Sequence, residues 1–242
     1  MVYAIVDSRI SEKMARSLEK QGFSLIRLPR SKDLGEAVCS HPDSLIFKLG
    51  SELIAPSDYC DDAAYVFSDI REYAPKYKIT FASDNIGTIY PSDTKFNALL
   101  LGKRLFARLD SLSLSILEAA ARRGIECINT KQGYPACSTL ALGDNCAVTA
   151  DRGMAKVLRD HGVTVYEIEC GSIELPPHEY GFIGGACGVF HGKVYFFGDH
   201  TAHPSRDIID GALARGGYEA IDLSNEKLTD LGGIVFLEEE AD

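Results

Sequence analysis

Two cysteines and a group of histidines are the residues in this chain whose types could do nucleophilic chemistry. Cys137 and Cys187 open two comparable stretches, ACSTLALGDN and GACGVFHGK. A thiolate attacks electrophilic carbon well, but it needs a nearby cation to lower its pKa and an acid to protonate the leaving group. His178, His191, His200 and His203 all come from the part of the chain around Cys187. Cys187, with Cys137 as second choice, is therefore the candidate nucleophile, and His191 and His178 are the candidate acid/base groups. The same two thiols also read as small buried apolar side chains, a common use of free cysteine.

A second set of residues could hold a ligand. Lys48 interrupts the otherwise apolar run SLIFKLG, while Asp84, Asn85, Asn129, Lys131, Gln132 and Glu169 lie in polar links that follow strands. Polar groups that converge on an apolar pocket fix a ligand's orientation, and loops carried by a rigid scaffold commonly supply them. Asp199, His200 and His203 are metal-ligand types, but no further ligand stands at a recognisable spacing, and Pro204-Ser205 reads as a helix start. No metal site is expected. GFIGGACG precedes a strand, whereas a phosphate loop follows one and opens a helix, so neither nucleotide nor other cofactor is expected.

The elements that must position these residues repeat along the chain. Ser138–Leu142, a Gly143-Asp144-Asn145 turn, Cys146–Ala150, a helix opened by Asp151 and closed by Gly162, and Val163–Ile168 form a strand, strand, helix, strand unit. The same order recurs around Gly50 and Asp58, Gly102 and Asp110, and His191-Gly192 and Asp199. The first copy, Val2–Asp7, Ser11–Gln21 and Phe23–Leu28, lacks its opening strand, and Gly233–Glu238 at the other end of the chain can supply it. Pairing of the two terminal strands would close a five-fold pseudosymmetric α/β ring of ββαβ units and remove its open edges. The aspartates at 7, 58, 110, 151 and 199 are expected to cap helix entries, outside any site.

The bounds agree with this. The chain has 242 residues, 45% hydrophobic and 25% charged, as expected for one globular domain spanning residues 1–242. Its formal charge of −10 disfavours nucleic acid as the main partner. No run is apolar enough to cross a bilayer, and Met1-Val2-Tyr3 leads straight into a strand without a secretory signal. Seven cysteines without framework spacing fit reduced thiols, so a cytoplasmic location is expected. Protein partners and oligomeric state are not legible.

A closed ring of five such units resembles the pentein, or guanidino-group-modifying, fold, and KQGYPACSTLALGDN, GFIGGACG and GDHTAHP are similar to an uncharacterised bacterial branch of it. The resemblance implies an axial pocket for a guanidino- or amino-acid-like molecule. Its enzymes use a cysteine on the closing strand and a histidine that opens the first strand of the preceding unit. Here those positions are Phe236 and Ile183-Gly184-Gly185, so the resemblance transfers no catalytic residue. Two readings follow. One is a hydrolase-like protein with a relocated site; the other is a non-catalytic pentein working through protein contacts, as translation initiation factor 6 does.

Overall fold

In a computed structural model, which describes residues 1–239, the strands group into five three-stranded sheets. The first holds β1 (Val2–Asp7) and β2 (Phe23–Leu28) around helix α1 (Glu12–Lys20). A short helix, α2 (Pro42–Leu45), leads into the second sheet: β3 (Phe47–Leu49), β4 (Glu52–Pro56), helix α3 (Ala64–Tyr73) and β5 (Lys78–Ala82). The third has β6 (Leu99–Leu101), β7 (Arg104–Ala107), α4 (Leu114–Arg122) and β8 (Glu126–Asn129). Another short helix, α5 (Pro135–Ser138), precedes the fourth: β9 (Thr139–Ala141), β10 (Cys146–Thr149), α6 (Arg152–Asp160) and β11 (Thr164–Glu167). The fifth has β12 (Cys187–Phe190), β13 (Lys193–Phe196), α7 (Arg206–Gly216) and β14 (Glu219–Asp222).

The last strand, β15 (Val235–Glu238), returns to the first sheet and pairs antiparallel with β1, Val2 opposite Glu238 and Ile5 opposite Val235. The ring closes through the terminal strands as the repeat pattern requires. Helix faces follow the sequence pattern too: Met14, Ala15 and Leu18 of α1, and Met154, Ala155 and Leu158 of α6, are buried. Each large apolar side chain so buried contributes about 1.5–3 kcal/mol. The helix-closing glycines Gly22, Gly124, Gly162 and Gly217 have φ of 93°, 62°, 78° and 72°.

Helix α3 begins at Ala64, with Val66, Phe67 and Ile70 as its buried stripe. One local expectation fails: the repeated aspartates are not one device. Asp151 accepts the Met154 N–H at 2.8 Å and Asp199 the Thr201 N–H at 2.9 Å. Asp110 instead pairs with Arg108, Asp58 accepts the Ile86 N–H, and Ser11 caps α1.

The pairing also sets which segments share an end of the ring. Thr149, at the end of β10, sits opposite Thr139 at the start of β9 and Glu167 at the end of β11. The other sheets repeat this arrangement. Middle-strand ends, inter-unit links and first-strand starts therefore share one end of the ring.

Candidate active site at the axis

At that end, short segments before the first strands bring polar groups together. Helices α2 and α5 each begin with proline at the first helical position, where its missing N–H costs nothing. They present His41-Pro42-Asp43 and Tyr134-Pro135-Ala136-Cys137. The Cys137 Sγ–H donates to Asp43 Oδ2 at 2.6 Å. Asp230, in the link before β15, accepts the Phe182 N–H at 2.9 Å and the Gly232 N–H at 3.1 Å. His41 lies between two carboxylates, its Nδ1 3.8 Å from Asp230 and its Nε2 3.9 Å from Asp7. Asp7 is itself buried and bound by the Arg9 guanidinium at 2.6 Å. Gly232 makes room for the imidazole: at φ 70° it has no side chain, and a Cβ there would stand 2.3 Å from His41 Cβ.

A cavity of about 710 Å³ opens over this floor. Cys137, Asp230, Asp93 and Tyr134 line its polar part, with Tyr90, Tyr180, Phe182 and His178 on its walls. The Tyr134 hydroxyl donates to Asp93 Oδ2 at 2.6 Å. Carboxylates beneath aromatic faces suit a cation, which draws both on opposite charge and on the ring quadrupoles.

The protonation pattern is that of a closed acidic cluster. Burial, and then the charge of Asp230, raises the Asp43 carboxyl to about 7. Burial raises Asp230 to about 7 as well, against the backbone N–H groups that favour its charged form. Burial lowers His41 to about 4, so its imidazole is neutral, and raises the Cys137 thiol together with Asp43 and Asp230. Between about pH 4 and 7 the folded state thus holds protons on Asp43 and Asp230 that the unfolded chain has released, and that stability is lost as pH rises. His41 acts in the opposite sense between its ordinary value and about 4, but it offsets one carboxylate of the two. Asp43→Asn should therefore gain on the wild type by roughly 1.4 kcal/mol per pH unit from pH 5 to 7. Denaturant melts at each pH check this, and a gap constant with pH would contradict it.

The sequence-derived candidates divide. Cys137 and His178 meet at the cavity. Cys187 is buried apart from its lining, donates to Ile183 O at 3.1 Å, and has a thiol raised first by burial, then by Asp230. His191 sits on the exposed β12–β13 turn beside Glu238, so it does not serve Cys187 as an acid or base. Lys48 donates to Phe236 O at 2.5 Å and lies over the Tyr77 ring. Asp84 accepts from Ser113, Asn85 from Ser57, and Asn129 from the Leu109 N–H. Gln132 bridges Asp151 and the Tyr134 N–H, the Lys131 carbonyl accepts from Tyr90, and the Glu169 N–H donates to Ser205. None of these seven lines the cavity. His200 is held by Asp222 and Asp210, and His203 Nδ1 accepts the Ser205 N–H. His41, Asp43, Asp93, Tyr134 and Asp230 escape sequence reasoning. One signal exists for two of their segments: Pro42 and Pro135 each stand eight residues before the turn glycine of their unit, Gly50 and Gly143, and mark equivalent axial positions.

The family described as "Family of unknown function (DUF6873)" matches residues 5–235. The chain belongs to that family. Among curated proteins, none matches it. Among solved structures, it is similar to the N-terminal domain of ArgZ bound to product, described as an arginine dihydrolase from the ornithine-ammonia cycle in cyanobacteria. That similarity is 11% identity over 98% of each chain, with TM-score 0.59. SxtG, an amidinotransferase from Microseira wollei in the saxitoxin biosynthetic pathway, shares 12% identity over 99% of this chain and 95% of its own, TM-score 0.57. A dimethylarginine dimethylaminohydrolase adduct shares 12% identity over 92% of each chain, TM-score 0.53. The fold of this DUF6873 protein is the pentein fold, as its closed ring of units indicates. Phe236, at the position that the resemblance gives to a catalytic cysteine, packs against Phe23 and Phe190 at centroid distances of 5.0 and 4.9 Å.

Proposed function

We propose that this protein binds a small cationic nitrogen compound, with a guanidino- or amino-acid-like head group, in the axial cavity, and hydrolyses it through Cys137. The observation that carries the reading is the Cys137 Sγ contact with Asp43 at 2.6 Å on the floor of an acidic, aromatic-walled cavity. A carboxylate titrating at about 7 is matched to accept the thiol proton near neutrality. The resting thiol is held protonated by burial and by Asp43 and Asp230, so the arriving cation supplies the charge that favours the thiolate. Sulfur then adds to the guanidinium carbon, an amine departs with a proton, and water releases the product. His178, which lines the cavity, is our candidate to protonate the leaving amine. All seven cysteines are free, in keeping with a reducing, cytoplasmic setting, and no described helix is long and apolar enough to cross a membrane. The related solved enzymes act on compounds of this class by their descriptions, which supports the choice of head group.

A thermal-shift and ammonia-release panel of guanidino and amino compounds tests it. At least one cationic member should raise the melting temperature and be turned over, and Cys137→Ser should abolish turnover while keeping the shift. Asp43→Asn should lower turnover by roughly 100-fold, the scale of a lost general base. Alkylation of Cys137 at neutral pH should be slow without ligand, with exposed Cys170 modified first. A panel that neither stabilises the protein nor reacts, with Cys137 inert throughout, would leave the non-catalytic pentein as the account.

A further inference from the structure

The hydrolytic reading does not use His41. It is wholly buried, and neither ring nitrogen has a hydrogen-bond partner among the described residues. An imidazole stripped of water on both sides is costly unless something occupies its lone pair. Three ligand atoms, one each from His41, Cys137 and Asp230, lie within 4.8 Å of one another.

We propose that His41, Cys137 and Asp230 form a binding site for a divalent transition metal of the zinc class. A nitrogen, a thiolate sulfur and a carboxylate oxygen are the donor set that borderline-soft ions prefer over magnesium or calcium. Nδ1 is the nitrogen that faces Asp230, at 3.8 Å, and donors around a tetrahedral zinc with bonds of about 2.0–2.3 Å stand at similar separations. Nε2 faces Asp7, itself anchored by Arg9, so the second imidazole nitrogen is directed at a carboxylate in the way metal-bound histidines commonly are. Cys137 and Asp230 line the cavity, which gives the ion an entry path. On binding, the Cys137 S–H bond breaks, its proton passes to Asp43, and a metal–sulfur bond forms without oxidation or reduction. The other acidic histidine set, Asp199, His200 and Asp222, lacks this character, because both His200 nitrogens are already held by Asp222 and Asp210.

This site is an alternative use of the Cys137 thiolate, because a metal-bound sulfur is not free to attack carbon, and its test reads metal, not turnover. Chelator-treated full-length protein is titrated with Co²⁺ and followed by absorption. The expected result is saturation at one equivalent with a thiolate-to-cobalt charge-transfer band. Cys137→Ser should remove the band and His41→Gln should weaken binding at least tenfold. Asp7→Asn should weaken it by about 10–100-fold. Cys170→Ser and His200→Ala should leave the band intact. Should the axial variants fail to fold, the unmutated protein still decides. One equivalent of Zn²⁺ should slow alkylation of Cys137 at least tenfold by peptide mass spectrometry. Absence of a thiolate band, a band that persists in folded Cys137→Ser, or unprotected Cys137 would overturn the site.

Discussion

A chain that stops after Gly232 should have no cooperative unfolding transition. Strand β15 contributes four residue pairs with β1, from Val2 with Glu238 to Ile5 with Val235. Its Leu237 is wholly inside and its Phe236 is 4% exposed, packed among Phe23, Phe190 and Tyr195. Burial of two such side chains contributes about 3–6 kcal/mol, against a total stability of roughly 5–15 kcal/mol for an ordinary domain. The loss does not stop there. Removing β15 turns β1, whose Ala4, Ile5 and Val6 are fully buried, into an edge strand with unpaired backbone groups. It also takes away the Phe236 carbonyl that accepts from Lys48 and the Glu238 N–H that donates to the Tyr77 hydroxyl. Thermal melts followed by far-UV circular dichroism and by calorimetry check the outcome. A truncated chain melting sharply near the full-length temperature would mean that the ring is not held shut by its termini.

The contrast between that strand and the site shows what the sequence can reveal. Gly233–Glu238 is assignable because a repeat with a missing first strand leaves one kind of vacancy, and alternation allows few candidates. Local periodicity carries that information. His41, Asp43, Cys137 and Asp230 carry no such mark, since the ring brings them together from three separate links. Their spacing along the chain is set by the lengths of whole units, not by any motif. Cys137 is legible as a thiol at a strand opening, and His178 as a histidine in a link; both line the cavity. Lys48, Asn129 and Gln132 have the right chemistry but spend it elsewhere. The Asn129 carboxamide oxygen takes the Leu109 N–H, and Gln132 ties Asp151 to the backbone of Tyr134. Polar residues in a link satisfy that link's own backbone before they are free to meet a ligand. Asp7 shows the converse. As one of a repeated set it reads as a helix cap outside the site, yet it faces His41 at 3.9 Å because middle strands end where first strands begin.

Replacing Gly184 by alanine should cost roughly 3 kcal/mol, the upper part of the usual range for overpacking. A Cβ built on Gly184 would lie 2.1 Å from Ala136 O, 2.5 Å from Thr139 O and 2.8 Å from Cys137 O. All three are backbone atoms, so no side-chain rotation can relieve the contact. The next residue adds to the rigidity, since the Gly185 N–H donates to Cys137 O at 3.0 Å. The link before the fifth sheet is thus docked directly onto helix α5, and the approach fixes where Cys137 points. Gly211 gives the opposite sign. It sits on the exposed side of α7, where an added methyl group would meet nothing within 4 Å, so Gly211→Ala should stabilise by about 1 kcal/mol through helix propensity. Chemical denaturation of the two variants beside the wild type reads both effects. Gly184→Ala should also loosen the Cys137–Asp43 contact, so its Cys137 should alkylate faster than the wild type under native conditions, whereas Gly211→Ala should not change that rate. Equal stability and equal alkylation in Gly184→Ala would show that the backbone of α5 can give way, and that the position of Cys137 is not set by this contact.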